Sequence, residues 1–427
     1  MDAITLKRIN KRNNTISFDF NVTDGLNRFF TDKPFEIEYP ENIESVPDSV
    51  AAIPFVCNVL PIIWLTNSTL RLPALDKDFF ECIPDVKKGY QNMFPESTFA
   101  GELEIGEIVE FPTPEANKSA SFFSGGLDAT DTLIRHIDEK PMLLSIWGSD
   151  VRIDNVDGWE KTLNGIKKSA NKFGLVPYVI RSSFREFDNE AVLHNTFSEQ
   201  LKDSWWHGVK HGLALLCHAA PVAYLHGLTK IYIASSFCPE DGNVRCASYP
   251  TIDNFVKFAG AKISHDGFEC NRQDKIFNVV KYVESTGNNV SLHVCWQTET
   301  GTNCCRCEKC YRTLAGLLAE GADPTDYGFE NFSEGLPFMR EYLIEYFPSR
   351  YRLRTRWSHI SKRVCENKQM LSQKPYWQYI SWLAKADFSN PEKLKMPLFF
   401  RIRRKLSSFK FYRKLHEIKS KILKESK

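Results

Sequence analysis

The residues of this chain best suited to chemistry form a short glycine segment, Ser124 to Asp128. An apolar stretch, 121–123, precedes it, and a stretch of helical character, 129–134, follows it. A strand that passes through a glycine turn into a helix binds anions well, because the first-turn N–H groups lack intrahelical acceptors and the helix dipole favours negative charge. Ser124 adds a hydroxyl, and the Asp128 carboxylate suits a hydrated Mg²⁺ ion. An ordinary turn is the alternative interpretation.

A second group of residues has the spacing of metal ligands. Cys295, Cys304, Cys307 and Cys310 follow the pattern C-x8-C-x2-C-x2-C. Four thiolates suit tetrahedral zinc, and an iron–sulfur cluster, which would indicate RNA thiolation chemistry, takes the same number. Cys305 is an alternative to Cys304, although the x2 spacing to Cys307 favours Cys304. Unrelated thiols are the third interpretation, and the cysteines scattered elsewhere are interpreted as ordinary thiols.

The glycine segment resembles the S-G-G-x-D-[ST] loop of the PP-loop ATP pyrophosphatases, which split ATP into AMP and pyrophosphate while they activate a substrate. The match covers 124–126 and Asp128. Where that family has a hydroxyl residue after the aspartate, this chain has Ala129, and Thr130 follows. No lysine follows the glycines, which distinguishes the segment from the P-loop of kinases and GTPases.

Together, the loop and the cysteine spacing resemble the 7-cyano-7-deazaguanine synthase family. The resemblance covers about residues 118–320. Lesser matches are Ile233 to Ser236, Tyr249-Pro250, Asp274 to Ile276, and Arg312. The chain lacks the family's Asp-Cys-Arg after Pro250, which indicates a divergent relative with a different acceptor.

The resemblance implies a C–N ligase that uses ATP, Mg²⁺ and Zn²⁺. A carboxylate or amide oxygen of a small-molecule acid would attack the α-phosphate, and ammonia or another amine would capture the adenylate. Asp128 and Ser124 are the expected catalytic residues, the four cysteines would hold a structural zinc, and a homodimer is expected. The expected nucleotide-binding residues are Ser124, Gly125, Gly126, Leu127, Asp128, Ala129, Thr130, Gly148 and Ser235.

Alternating strand and helix patterns predict an α/β fold with a parallel-sheet PP-loop core, adenine nucleotide alpha hydrolase-like, over residues 116–320. Ligands of such sheets bind at the carboxyl ends of strands, where Ser124, Gly148, Arg181 and Ser235 fall. A β-rich or α+β accessory domain is predicted for 1–115, and a helical basic region for 321–427.

Three details of that prediction concern particular side chains. Pro54 and Pro61 favour strand and turn within 50–65 rather than one helix. His211 and His218, two helical turns apart, are either an acid–base pair or core histidines. Arg272 and Lys275, one turn apart, either contact ATP phosphates or pair with Asp274 and Glu269.

Composition and charge further restrict the possible functions. The chain has 427 residues with 42% hydrophobic and 13% aromatic residues, typical of a folded protein, and it has no run typical of a membrane span or export signal. A cytoplasmic protein is expected. The net charge is +2, yet 396–427 holds eleven basic and two acidic residues. This tail, whose stretch 398–424 has amphipathic helical spacing, either packs with its basic face in water, lies on a membrane surface, or binds RNA.

Two other functional classes remain open on the sequence alone. One is a sulfur-transfer enzyme of the PP-loop superfamily that acts on tRNA or a small molecule, which the basic tail favours. The other is a non-catalytic nucleotide-binding protein, which Ala129 favours.

Overall fold

The computed structural model describes residues 2–115, 117–295, 297, 302–346 and 352–388. The chain divides into two compact units. One comprises Met1–Asn303 and Asp326–Gly328, and the other comprises Cys304–Thr325 and Phe329–Lys427. The predicted amphipathic stretch of the basic tail, 398–424, lies outside the described residues.

An eleven-stranded sheet organises the first unit, in the order β10-β11-β9-β6-β7-β8-β3-β2-β1-β4-β5. The strands are β1 (Ala3–Arg12), β2 (Thr15–Val22), β3 (Glu36–Glu38), β4 (Thr69–Asp76), β5 (Glu102–Val109), β6 (Lys118–Phe122), β7 (Met142–Trp147), β8 (Pro177–Ser182), β9 (Leu228–Ala234), β10 (Lys257–Phe258) and β11 (Ala261–Asp266). Five consecutive neighbours, β11, β9, β6, β7 and β8, are mutually parallel. The prediction of an α/β fold with a mostly parallel sheet is confirmed.

The strands of residues 2–115 belong to the same sheet. Strand β3 pairs antiparallel with β8 through Ile37 opposite Ser182 and Glu38 opposite Arg181. Strands β2 and β1 continue the sheet antiparallel, and β4 and β5 then follow parallel to β1. The sheet therefore contains strands from both sides of the domain boundary that was predicted between residues 115 and 116.

Helices cover this sheet and form most of the second unit. Those of the first unit are α1 (Asp24–Asn27), α2 (Asp48–Ala51), α3 (Ile53–Thr66), α4 (Lys77–Met93), α5 (Leu127–Arg135), α6 (Val156–Asn171), α7 (Glu190–Leu201), α8 (His211–Leu216), α9 (Ala220–His226), α10 (Pro250–Asp253) and α11 (Arg272–Thr286). Those of the second unit are α12 (Glu308–Ala319), α13 (Phe332–Tyr346), α14 (Arg352–Glu366), α15 (Lys368–Leu371) and α16 (Trp377–Ile380).

Helix α3 shows that the expectation of strand and turn within 50–65 was wrong. Pro54 lies in the first turn, where a missing N–H removes no intrahelical hydrogen bond. Pro61 lies inside the helix and forgoes one backbone hydrogen bond. The Asn58 side chain donates to the Pro54 carbonyl at 2.8 Å. Twelve consecutive residues from Ile53 to Trp64 are buried, so packing on all sides stabilises the helix despite the internal proline.

Aromatic packing makes the sequence before residue 115 part of the core of the first unit. The rings of Phe35 and Phe187 stack with centroids 4.5 Å apart, and Phe18 packs 4.9 Å from Phe35. Phe20 packs on Phe55 of α3 at 5.1 Å. Since Phe187 follows β8, the early strands and the parallel strands share one hydrophobic core.

Within the second unit, buried polar contacts fix the helices around α12. The Trp357 indole donates to the Glu308 carboxylate at 3.2 Å, and Arg312 pairs with the same carboxylate at 3.4 Å. The Tyr311 hydroxyl donates to the Gly335 carbonyl at 3.0 Å. Each of these buried polar groups therefore has a partner. Among the residues described in either unit, no helix combines the length and apolar character needed to cross a bilayer.

We expect Asp76→Ala to lower the free energy of unfolding by about 1–2 kcal/mol or more, because it removes an N-terminal helix cap. Asp76 Oδ1 accepts from the Phe79 amide at 2.9 Å and from the Ala259 amide at 3.2 Å, so a second buried donor also loses its partner. Urea unfolding measures the change. Asp85→Ala, on the exposed face of the same helix, is the control, and equal losses in both variants would contradict the assignment.

Candidate functional site

The glycine segment lies at the point where the sheet changes its direction of winding. Strand β6 has β7 on one side and β9 on the other, both parallel to it. The chain moves outward from β6 through β7 to β8 and then returns to place β9 against the opposite side of β6. Crossovers that leave in opposite directions open a crevice at the carboxyl ends of the central strands, where ligands of α/β sheets bind. Ser124 lies two residues after β6 and Ser235 directly follows β9, the two strands that border this crevice.

The backbone of the segment turns sharply into helix α5. Gly125 has a φ of +72°, in the left-handed region that favours glycine. Gly126 is the N-cap residue, and no side chain caps the first turn. A Cβ atom on Gly126 would lie 3.3 Å from Ser124 Oγ and 3.6 Å from the His293 carbonyl oxygen. The segment is therefore a compact cradle, and no side chain caps the N–H groups of the first helical turn.

Two cations from helix α11 converge on the Asp128 carboxylate in the first turn of α5. Arg272 Nη1 lies 3.1 Å from Asp128 Oδ2, and Lys275 Nζ lies 3.5 Å from Oδ1. Lys275 is buried and also donates to the backbone carbonyl of Ser235. Two positive charges meet one negative charge, so these three side chains together carry one net positive charge beside the cradle.

A second carboxylate follows one turn further along α5. Asp131 is fully buried, and burial raises its pKa to about 6. Asn278 of α11 donates to Asp131 Oδ1 at 2.9 Å. Thr130 is also fully buried, and its hydroxyl has no hydrogen-bond partner among the described residues. Ala129 and Leu127 are buried too, so only their backbones can contribute to a ligand site.

Strand β11 ends beside the same helix. Its last residue, Asp266, lies 3.4 Å from Arg135 and 2.9 Å from His136. The His136 ring stacks on Tyr232 of β9 with centroids 3.8 Å apart. Arg135 also pairs with Glu269, which follows β11. These contacts fasten α5 to the strand ends and thereby fix the position of Asp128.

Gly148, predicted to contact the nucleotide, directly follows β7, the neighbour of β6 on the side away from β9. Its φ is +109°, and a Cβ atom there would lie 1.9 Å from the Ser182 carbonyl oxygen, so only glycine fits. The next carbonyl, that of Ser149, accepts from Arg185 at 2.9 Å. The close approach holds the ends of β7 and β8 together.

A cavity of about 580 Å³ lies beyond β8, and none of the predicted nucleotide-binding residues lines it. The lysine, arginine and carboxylate side chains that line it have ion-pair partners. Lys33 and Arg152 contact Glu186, Arg185 contacts Glu190, and Asp188 contacts Lys210, which is not part of the lining. The cavity is therefore a separate feature from the glycine cradle.

The four cysteines with ligand spacing are close together in the structure. The Sγ atoms of Cys295, Cys304, Cys307 and Cys310 all lie within 4.8 Å of one another. Cys304 and Cys310 are 3.8 Å apart, the separation expected of two thiolates bound to one tetrahedral zinc at about 2.3 Å per bond. Three of the four are buried, and Cys304 is half-buried. The cluster can hold a metal ion such as zinc.

The segment that leads to Cys295 also contacts the glycine cradle. The His293 amide donates to the Gly125 carbonyl at 2.8 Å. The Asn303 side chain accepts from the amides of Val294 and Cys295 at 3.0 and 3.2 Å. Residues 293–295 thus connect the backbone of the cradle with the first cysteine of the cluster.

Of the two histidines that sequence spacing placed on one helical face, His218 is a core residue. Its Nε2 lies 2.8 Å from Ser182 Oγ and its Nδ1 lies 2.7 Å from the Ala214 carbonyl oxygen. Burial lowers the pKa of His218 to about 4. Burial also lowers the pKa of His211, which packs edge-to-face on Trp206. Neither contact is that of an acid–base pair.

The comparison with known proteins adds no relative. No protein-family model matches the chain, and no curated protein matches it either.

The sequence identified the cradle but not the side chains that surround Asp128. Pairing of Arg272 and Lys275 with Glu269 and Asp274 was one of two expectations, and both cations instead contact Asp128. Asp274 caps α11 by accepting from the Asn271 amide at 3.0 Å. The capping pattern Asn-x-x-Asp was visible in the sequence, and it places Arg272 and Lys275 in the first turn of α11.

We expect the parent protein to lose stability relative to His218→Gln as the pH falls from about 6.5 to 4. The unfolded chain binds a proton at His218 below its ordinary pKa of 6.5, whereas the folded chain does so only near 4. This difference destabilises the fold by up to about 3 kcal/mol at the lower pH. Urea unfolding at several pH values measures it, and parallel stability curves for the two proteins would contradict the assignment.

Proposed function

We propose that the chain is an adenylating enzyme that splits ATP into AMP and pyrophosphate to activate a carboxylate or amide oxygen for C–N bond formation. The observation that carries the proposal is the convergence of Arg272 and Lys275 on Asp128 at the switch point of the sheet, where Lys275 also donates to the Ser235 carbonyl. An anion site with a helix N-terminus, two cations and one carboxylate suits a polyphosphate with its metal ion.

Arg272 and Lys275 would exchange partners when ATP binds. In the structure their positive charges are directed to Asp128. Phosphate oxygens compete for these donors, and the Asp128 carboxylate is then available for a cation. Lys275 keeps its contact with the Ser235 carbonyl during this exchange, so its ammonium group stays near the crevice.

The cradle would receive the pyrophosphate that leaves. Backbone N–H groups of the first turn of α5 and the Ser124 hydroxyl provide donors that are in place before the reaction, and such preorganised donors stabilise developing charge. Bound Mg²⁺ would supply further neutralisation of the phosphate charge, with Asp128 as its carboxylate ligand. An amine would then capture the activated acyl group.

The cysteine cluster would hold a structural zinc ion. Four thiolates complete a tetrahedral shell and leave no position open for substrate. The contact between His293 and Gly125 supports a role of the metal in fixing the backbone around the cradle.

We expect the protein to form AMP and pyrophosphate from ATP in the presence of a suitable carboxylic acid, and Lys275→Met to slow this by about 10²–10³-fold. Asp128→Ala should cost about 10²-fold or more, because it removes the carboxylate that orders both cations. A panel of carboxylic acids with ammonium is assayed by chromatography of nucleotides and by pyrophosphate release.

The matched control is Lys281→Met, on the same helix. Lys281 is exposed and contacts only Glu284 among the ion pairs of the described residues. Its activity should equal that of the parent. ADP and phosphate as products, or equal rates in the two lysine variants, would contradict the proposal.

We expect elemental analysis to find about one zinc per chain, without iron or labile sulfide. Cys307→Ser and Cys310→Ser should lose the metal, because three thiolates hold zinc more weakly than four. Cys305→Ser should keep it, since Cys305 is not one of the four clustered ligands. Iron with labile sulfide would contradict zinc binding and support the sulfur-transfer alternative.

A further inference from the structure

The cavity of about 580 Å³ beyond β8 has a volume within the range of small-molecule sites. Its lining comes from three parts of the chain: the segment before β3, the segment after β7, and residues between 185 and 206. Apart from one alanine and two tryptophans, every residue that lines it is polar or charged. Such a lining suits a charged ligand, because an apolar ligand would desolvate these groups without pairing them.

Arg185 is held in one orientation on the wall of this cavity. Its Nε and Nη2 atoms donate to the two carboxylate oxygens of Glu190 at 2.8 and 2.7 Å, and its Nη1 atom donates to the Ser149 carbonyl at 2.9 Å. The guanidinium carbon lies 3.8 Å from the centre of the Trp206 ring. A guanidinium group has five N–H donors, and these hydrogen bonds use three of them. The remaining two donors are fixed in one plane and suit a carboxylate.

Two further cations of the lining are exposed to solvent. Lys33 and Arg152 both pair with Glu186, whose side chain is only 6% exposed, whereas their own side chains are 62% and 47% exposed. One carboxylate cannot neutralise two cations, so this group keeps one net positive charge. Either cation can therefore turn to an anionic ligand while the other still pairs with Glu186.

The first turn of helix α7 adds the positive end of a helix to the same wall. Asn189 is the N-cap residue, and its side chain accepts from the Val192 amide at 3.2 Å. The amides of Glu190 and Ala191 precede that turn and have no acceptor within the helix. Asn189, Glu190 and Ala191 all line the cavity. The helix dipole therefore favours negative charge at the place where Arg185 and the exposed cations also act.

Carboxylates of the lining can accept hydrogen bonds from a ligand. The Glu190 side chain is 20% exposed, and a carboxylate accepts about four hydrogen bonds, of which Arg185 supplies two. Asp188 Oδ2 accepts from Lys210 at 2.6 Å, whereas Asp188 Oδ1 accepts no hydrogen bond from any described residue. A hydroxyl group is therefore a suitable second group on the ligand, since it donates a hydrogen bond without adding charge.

The ion pairs also restrict the charge of the ligand. Four cations pair with three carboxylates, which leaves an excess of one positive charge: Lys33, Arg152, Arg185 and Lys210 with Glu186, Asp188 and Glu190. A single carboxylate on the ligand neutralises this excess. A phosphate group with two negative charges would be repelled by the three carboxylates more strongly than one extra positive charge can offset.

We propose that this cavity is a binding site for a small hydroxy acid, whose carboxylate pairs with Arg185 and the exposed cations and whose hydroxyl groups donate to carboxylates of the wall. The site goes beyond the proposed function. Binding there requires neither ATP nor the glycine cradle, so adenylation can fail while this site is confirmed, and the reverse.

The first test measures binding to the full chain without ATP. Lactate, glycerate and gluconate are titrated in turn by isothermal titration calorimetry. We expect at least one of them to bind with a Kd of about 1 mM or lower. Its uncharged amide, and the corresponding acid without hydroxyl groups, should each bind about tenfold more weakly or worse. Absence of binding by all three acids, or equally tight binding of inorganic phosphate, overturns the inference.

The second test locates the bound acid. Ala191→Trp fills part of the cavity at an exposed position and removes no ion pair. We expect this variant to bind the acid about tenfold more weakly or worse, because the indole occupies the space of the ligand. Thr196→Trp, at an exposed position of the same helix outside the lining, is the matched control and should bind as the parent does. Unchanged affinity in Ala191→Trp would place the acid elsewhere and overturn the inference.

The third test removes one cation of the lining. Arg152→Met leaves Lys33 to pair with Glu186, so the fold keeps its buried ion pair. We expect the affinity for the acid to fall about tenfold, and Arg152→Lys, which keeps the charge, to restore most of it. Arg12→Met, at an exposed arginine at the end of β1, is the control. Equal affinities in the two methionine variants would contradict pairing of the carboxylate with the exposed cations.

Discussion

The candidate site depends on one buried cation, the ammonium group of Lys275. It reaches the Ser235 carbonyl at the end of β9 and the Asp128 carboxylate in the first turn of α5, so it joins the two borders of the crevice. A buried lysine is retained only where its charge is matched, and here one carboxylate and one carbonyl match it. Helix α11 carries this lysine and Arg272 in the same turn, and the cap at Asn271 fixes where that turn begins. The cradle, the cations and the strand ends are consequently positioned by each other.

The sequence was informative where local geometry dictates the residue type. A left-handed φ at Gly125 and the close approach at Gly148 leave glycine as the residue that fits, and both positions were visible in the sequence. The cysteine spacing was equally readable, since consecutive ligands of one ion must lie a few residues apart. The alternation of strand and helix patterns was sufficient to predict the α/β class, because buried residues recur with one spacing along a strand and with another along a helix.

Contacts between distant residues could not be read in this way. Asp128 and Lys275 are 147 residues apart, and nothing in either local sequence indicates the other. Helix α3 was missed for another reason: the prolines disfavour a helix locally, and the burial that outweighs them depends on the whole core.

The pairing of β3 with β8 determines which surface remains for association with other chains. A parallel sheet that ended at β8 would offer free N–H and C=O groups at its margin, and a second copy could extend the sheet there. In this chain Ile37 and Glu38 occupy that margin opposite Ser182 and Arg181. Strand β3, from the first hundred residues, therefore covers this edge. A second copy cannot extend the sheet by pairing with this part of β8.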